Sequence, residues 1–271
     1  MTGSLPLKSL NDLSSTDRMP VLFVGHGNPM NAIEDNEFSR KWKELGKQLP
    51  RPAAILCISA HWETKGSFVT KTPRPETIHD FYGFPPDLFS VQYPAPGDPV
   101  LAAAISNEVK YQPVREDSSW GLDHGCWSIL TRMFPDADIP VMQLSLDHYL
   151  SPEGHYRLAR ELSFLRRKGV LVMGSGNMVH NLRMFDFFNP ARKYDWAEAM
   201  NEKFKTQIIA NNNKFLTTPS EMGSAFSLAA PSLEHYLPML YALALREKDE
   251  SPEFFNDTVM SSLSMTSFIL G

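Results

Sequence analysis

Short, continuous apolar runs recur along the chain, and amphipathic segments separate them. The runs are PVLFVG from residue 20, AAILCISA from 53, IPVMQLSL from 139 and GVLVMGSG from 169. Apolar runs of this length without polar alternation are typical of strands that are buried on both faces of a parallel sheet. Segments 37–49 and 151–168 between them have helical periodicity. The pattern therefore predicts an α/β fold with a mostly parallel central sheet flanked by helices.

The remaining elements are weaker. A short strand is predicted at 67–71, an edge strand at 262–270, and a long ordered loop rich in Pro and Gly at 72–99. Further helices are predicted at about 99–110, 124–134, 191–210 and 234–248, with a mixed polar stretch at 211–233. Residues 1–18 are polar and lack periodicity, which predicts a flexible lead-in before a single domain over 19–271.

Charge and cysteine content exclude several classes of function. The formal net charge is -5, without a cluster of Lys and Arg, which argues against nucleic acid and anionic membranes as partners. The chain has no run of about 20 apolar residues and no signal-peptide pattern, so a cytoplasmic location is predicted. Cys57 and Cys126 both lie in apolar runs, where they are expected to be buried thiols rather than a disulfide.

Three of the eight histidines follow predicted strands. His26 comes after PVLFVG, His61 after AAILCISA, and His180 shortly after GVLVMGSG. Ligands of α/β sheets bind beyond the carboxyl ends of the strands, and neutral imidazole is the commonest protein ligand for metals. The spacing predicts a metal site at this sheet edge. From the residues alone, a turn histidine, or one bonded to a backbone carbonyl, is an equally good interpretation of His26 and His61.

Other histidines are candidates for the same pocket. His124 follows Asp123, a good helix N-cap, and the nearby Trp120 and Trp127 are expected to form aromatic walls. His79 lies on the long loop, where a lid is expected. His235 precedes a helix, and its position alone favours a solvated first-turn residue slightly over a ligand.

The remaining assignments concern orientation and surface position. Asn177 and Asn181 are predicted to orient the His180 ring, whereas His148 and His155 are predicted to be surface residues without a role. The chain has no CxxC pair, no G-x-S-x-G nucleophile elbow and no G-x-G-x-x-G loop, which argues against finger-type zinc, a serine nucleophile and nucleotide binding.

Eight motifs in order resemble one known family. They are GHGNPM, SAHWE, TIHDFYGFP, YPAPGDP, WGLDHG, PDADIPVMQLS, GSGNMVHNL and EHYLPMLYALA, from about residue 20 to the C-terminus. The chain resembles the DOPA 4,5-dioxygenase extradiol family, a member of the class III (LigB-type) ring-cleaving dioxygenases. The resemblance implies a LigB-like three-layer sandwich, a mononuclear metal site, and opening of a catechol with O2 to a 2-hydroxymuconate semialdehyde.

The resemblance also assigns roles to residues. It implies that His26, His61 and His235 are metal ligands, that His180 is a catalytic acid/base close enough to be a fourth ligand in a zinc form, and that His124 contacts substrate. The loop from His79 to Pro85 and Trp120 are expected to shape the pocket around the substrate. The wider superfamily places a glutamate where this chain has His235, with Glu234 beside it. Fe(II) for turnover and Zn(II) as the bound metal both suit an all-histidine site.

Two other functions remain open from the sequence. A zinc hydrolase on the same fold would use zinc-bound water as nucleophile and His180 as base. A metal-binding protein without catalysis would have a closed four-histidine site. The sequence specifies neither the physiological catechol nor the oligomeric state.

Overall fold

The structure, a computed structural model, describes residues 15–271. The strands are β1 (Val21–Gly25), β2 (Ala54–Ser59), β3 (Glu63–Thr64), β4 (Ser67–Thr70), β5 (Val114–Asp117), β6 (Val141–Gln143), β7 (Leu146–Asp147), β8 (Val170–Gly176), β9 (Glu253–Phe255), β10 (Val259–Met260), β11 (Leu263–Ser264) and β12 (Ser267–Leu270). The α-helices are α1 (Glu37–Gln48), α2 (Pro86–Phe89), α3 (Pro99–Glu108), α4 (His124–Met133), α5 (Pro152–Arg160), α6 (Asp195–Ile209), α7 (Asn213–Leu216), α8 (Ser224–Ala229) and α9 (Leu237–Ala244).

A six-stranded sheet with the order β6-β2-β8-β1-β12-β9 forms the centre of the fold. Strands β6, β2, β8 and β1 are parallel, and β12 is antiparallel to both of its neighbours, β1 and β9. Every residue of β1, β2 and β8 is buried, as the continuous apolar runs predict. The predicted α/β class with a mostly parallel mixed sheet is confirmed.

Side chains of each strand alternate between two hydrophobic cores, one on each side of the sheet. In β1, Leu22 and Val24 belong to the core that includes Trp42 of α1 and Leu130 of α4. Val21 and Phe23 belong to the opposite core, which includes residues of α5, α6 and α9. Successive side chains of a strand point to opposite faces, so one apolar run supplies both cores and produces a three-layer sandwich.

The strand register places the predicted site residues at one edge. Gly25 of β1 pairs with Gly176 of β8, and Ser59 of β2 pairs with Ser175. These residues end the parallel strands, so the chain leaves the sheet at the same level in all three places. The segments that carry His26, His61 and Asn177 therefore start side by side.

Four predicted elements differ in detail. The C-terminal strand is interior, because β9 pairs with its outer side. The predicted helix 151–168 divides into α5 and a 3₁₀ helix, Ser163–Lys168, which lets Arg166 point inward to bond the Met19 carbonyl and Glu250. The helix predicted from 191 starts at Asp195. The helix predicted from 234 starts at Leu237, because the His235 carbonyl accepts a hydrogen bond from the Asn177 N–H instead of entering the helix.

Three further predictions concern the cysteines, membrane-spanning helices and the N-terminal segment. Cys57 and Cys126 are buried free thiols, as predicted. Among the described residues, no helix has the length and apolar character needed to cross a membrane. Most of the predicted lead-in, 1–14, lies outside the described residues, but the Thr16 N–H donates to the Arg167 carbonyl at 3.0 Å, and Arg18 pairs with Glu247.

Candidate metal centre

His26 leaves β1 in a conformation that fixes which ring nitrogen is free. Its Nδ1 lies 2.9 Å from the Ser175 hydroxyl, and that hydroxyl donates to the Gly125 carbonyl. A hydroxyl that has donated its proton accepts from the imidazole, so Nδ1 carries the hydrogen of neutral His26. Nε2 is left with its lone pair free. Gly25 allows this arrangement, since a Cβ there would lie 2.7 Å from the Met265 carbonyl oxygen.

His61 faces His26 from the end of β2. The two Nε2 atoms are 3.0 Å apart. Two imidazole nitrogens bound to one tetrahedral zinc at about 2.0–2.1 Å would be roughly 3.3 Å apart, so the observed separation suits two ligands of one ion. The small residues that precede His61 pack closely: Ser59 donates to Asp123, and Ala60 is buried.

His235 completes the set from the turn before α9. Its Nδ1 lies 3.2 Å from Asn177 Oδ1. The Asn177 amide is oriented by its own donation to the Ser264 carbonyl at 2.8 Å, so its oxygen faces the ring and accepts from Nδ1–H. Asn177 therefore orients His235 rather than His180, contrary to the prediction. The prediction for Asn181 is also wrong, because its amide donates to the Leu228 carbonyl.

Together, His26, His61 and His235 present ring nitrogens that all lie within 4.8 Å of one another. Burial, reinforced by the neighbouring histidines, lowers the pKa of His26 and His235 well below the ordinary value, and burial likewise lowers the pKa of His61. All three rings are therefore neutral at pH 7, as metal ligands must be. Three imidazoles suit both Zn(II) and Fe(II), so the residues present fit a divalent metal ion.

His180 lies beside this set. Its ring stacks on His235, with centroids 3.5 Å apart and an interplanar angle of 8°. It groups with Glu234 and His235, not with the His26–His61–His235 set. Burial lowers the pKa of His180 to about 4, so the ring is neutral at pH 7 and can accept a proton. This placement favours a proton-transfer role over a fourth ligand.

His124, the first residue of α4, faces His61 at a ring-centroid distance of 3.9 Å. Asp123 caps α4 by accepting from the Cys126 N–H, as predicted, and Gln143 at the end of β6 donates to the same carboxylate. The His124 Nδ1 bonds Asp80 at 2.9 Å. The Asp123 cap fixes the start of α4, and Asp80 fixes the His124 ring, so Nε2 is the ring nitrogen left for other contacts.

The long loop reaches the site through Asp80 and Phe81, two residues of the TIHDFYGFP motif and of the loop predicted to shape the pocket. Asp80 bonds His124, and the Phe81 ring packs edge-on against His124 at 5.6 Å. The TIHDFYGFP motif marks this loop in the sequence, but it does not indicate that Asp80 bonds His124. The His79 Nε2 instead donates to the Val91 carbonyl, and its ring packs on Trp127.

The predicted aromatic walls and surface histidines have mixed outcomes. Trp120 stacks on Trp62, the residue after His61, with centroids 5.5 Å apart. Trp127 is a core residue whose indole donates to the Ile78 carbonyl and so holds the loop. His148 is exposed as predicted, but His155 is fully buried, bonded to the Tyr241 hydroxyl and the Asp147 carbonyl. The surface prediction for His155 is wrong, because its helix face packs against α9.

Comparison with known proteins gives the family. Residues 20–268 match the model of the catalytic LigB subunit of aromatic ring-opening dioxygenase. The chain belongs to the LigB family. It is 42% identical over 265 residues to the 4,5-DOPA dioxygenase extradiol of Escherichia coli strain K12, covering 96% of this chain and 97% of that protein.

Other relatives agree with this LigB assignment. The 4,5-DOPA dioxygenase extradiol of Beta vulgaris is 35% identical over 246 residues, covering 87% of this chain and 90% of that protein. The crystal structure of an uncharacterized protein from Escherichia coli K12 superposes with a TM-score of 0.82 at 39% identity, covering 94% of this chain and all of that chain. The resemblance drawn from the eight motifs is confirmed at the level of the family and the fold.

Proposed function

We propose that this LigB-family chain is an extradiol dioxygenase that opens a DOPA-like catechol with O2 to a 2-hydroxymuconate semialdehyde, using one divalent metal bound by His26, His61 and His235. The observation that carries the proposal is the convergence of these three rings, two of which have their outer nitrogens committed to Ser175 and Asn177. Bound Fe(II) would supply Lewis acidity toward the catechol oxygens and the redox chemistry that O2 requires.

The protein's own groups supply proton transfer and orientation. His180, partly buried and neutral, can take a catechol hydroxyl proton at a ring nitrogen and return it later. His124 offers Nε2 to a substrate oxygen, because Nδ1 is engaged by Asp80. Phe81, packed on His124, provides an apolar surface beside the ring of the substrate and limits the entry of water.

The test measures O2 uptake by protein loaded anaerobically with Fe(II), offered DOPA and simpler catechols, while the yellow absorbance of a semialdehyde is followed. We expect uptake of O2 together with yellow product. Absence of both across the panel, together with Zn(II)-dependent hydrolysis of ester or amide substrates, would replace this proposal with the zinc hydrolase. Redox-inert zinc cannot pass electrons to O2, so the two outcomes are separable.

Variants of the histidines assign the roles. His180→Ala is expected to retain metal and to lower kcat by about 100- to 10,000-fold, the usual range for loss of a general acid/base. His26→Ala and His61→Ala are expected to lose metal as well as turnover. Metal content by atomic emission and kcat by O2 electrode distinguish these cases, and a fully active His180→Ala protein would refute its assignment.

A further inference from the structure

Asp80 is the loop carboxylate in contact with the histidine cluster. It lies between the Thr72 and Pro99 ends of the long loop, and its side chain is 18% exposed. Oδ1 accepts from the backbone N–H of His124 at 2.9 Å, and Oδ2 accepts from His124 Nδ1 at 2.9 Å. The same Oδ2 lies 3.5 Å from His61 Nδ1. One carboxylate thus faces the outer nitrogens of two site histidines that come from different elements.

The charge of the site explains why a carboxylate is placed there. Three neutral imidazoles leave the two positive charges of a divalent ion without a compensating anion among its ligands. A carboxylate against the outer nitrogen of a ligating histidine fixes its tautomer and increases its basicity toward the metal. Both oxygens of Asp80 accept hydrogen bonds from His124, one from the backbone N–H and one from Nδ1–H, which is the pattern of a carboxylate that only accepts.

Asp123, a fully buried carboxylate nearby, is already engaged. It accepts from the Ser59 hydroxyl, the Gln143 amide and the Cys126 N–H at the start of α4. The hydrogen bonds of Asp123 join β2, β6 and the start of α4, whereas Asp80 bonds directly to a histidine ring of the cluster. The two carboxylates therefore have separable roles.

We propose that Asp80 is a positioning residue that supplies the compensating negative charge of the metal centre through His61, fixes the Nδ1–H tautomer of His124, and joins the long loop to the site. This inference rests on the metal site of the proposed function and deepens it. It also makes metal affinity depend on the loop, since the carboxylate comes from the loop and the rings it faces come from the end of β2 and the start of α4.

Two substitutions separate charge from shape. Asp80→Ala removes the side chain, whereas Asp80→Asn keeps its shape. In Asp80→Asn, either orientation of the amide places an N–H₂ group against a donor, the His124 N–H or the imidazole Nδ1–H groups, so the variant cannot reproduce both contacts. Asp87→Asn is the matched control, because Asp87 is an exposed carboxylate of α2 on the same loop.

The first readout is the affinity of the purified full chain for Zn(II), measured by competition with a chromophoric chelator. We expect Asp80→Ala and Asp80→Asn to bind Zn(II) about 10- to 100-fold more weakly than the wild type, the range typical of lost carboxylate partners of metal-bound histidines. The second readout is binding of 4-nitrocatechol to Zn(II)-loaded protein, followed by its absorbance change, which we expect to weaken in both variants. Asp87→Asn is expected to match the wild type in both assays.

Retention of Zn(II) affinity within twofold of wild type by Asp80→Asn would overturn the inference, as would an equal loss in Asp87→Asn. If Asp80→Ala does not fold, judged by circular dichroism, the folded Asp80→Asn variant decides. The Zn(II) assay needs no turnover, so it also separates the two proposals. Weakened Zn(II) binding with no O2 uptake by the Fe(II)-loaded wild type would refute the proposed reaction and support the role of Asp80.

Discussion

Buried His155 makes the folded chain sensitive to acid, and the size of the effect follows from its surroundings. Its Nε2 donates to the Asp147 carbonyl and its Nδ1 accepts from the Tyr241 hydroxyl, so both nitrogens are satisfied only in the neutral ring. Burial, partly opposed by the nearby Asp147, lowers the pKa of His155 from 6.5 to about 4. Below pH 6.5 the unfolded chain therefore binds a proton that the folded chain does not.

The sign and magnitude follow from linkage. A histidine whose pKa is lower in the folded state contributes full stability above about pH 6.5 and loses it as the pH falls toward 4. For a shift from 6.5 to about 4, one group lowers the free energy of unfolding by about 2 kcal/mol between pH 7.5 and pH 5, and by about 3 kcal/mol in the acid limit. His155→Gln keeps a donor and an acceptor but does not titrate, so it lacks this part of the acid sensitivity.

The assay is urea unfolding of metal-free protein at pH 7.5 and pH 5, analysed by linear extrapolation. The buried site histidines titrate in both proteins, so their contribution cancels when the pH-dependent loss in His155→Gln is subtracted from that in the wild type. We expect a difference of about 2 kcal/mol. His148→Gln, at an exposed histidine, is the control and should lose as much stability as the wild type. Equal losses in wild type and His155→Gln would refute the reasoning.

Two further substitutions test the site and the core. Gly176→Ala would place a Cβ 2.2 Å from the His235 carbonyl oxygen, so the turn that carries His235 must move. We expect the free energy of unfolding in urea to fall by about 1–3 kcal/mol and Zn(II) binding in the chelator assay to weaken. Unchanged Zn(II) affinity would contradict this. Glu250→Gln removes the charge that faces fully buried Arg166, so we expect the free energy of unfolding to fall by about 3–5 kcal/mol. Glu247 is more exposed, and we expect Glu247→Gln to lower it by less than about 1 kcal/mol. Similar losses in the two variants would contradict this expectation.

Local pattern was enough to predict much of the fold. The apolar runs of β1, β2 and β8 are buried along their whole length, so their sequences directly report a sheet covered on both faces. Because such strands are parallel, residues that follow them must meet at one edge, and strand direction by itself therefore brings His26 and His61 together. The order of eight motifs added the family, which the comparisons bear out.

Only the tertiary structure decided the roles that depend on long-range contacts. Whether β12 is an edge strand depends on β9, and whether His155 is exposed depends on the packing of α9, so neither is encoded in the neighbouring residues. Asp80 has no periodicity or strand end to mark it, because its carboxylate meets His124 only when the long loop folds back over α4. The sequence determined that His26 and His61 gather at the sheet edge, since that follows from strand direction. Contacts between distant segments brought His235 to them and determined how each ring is oriented.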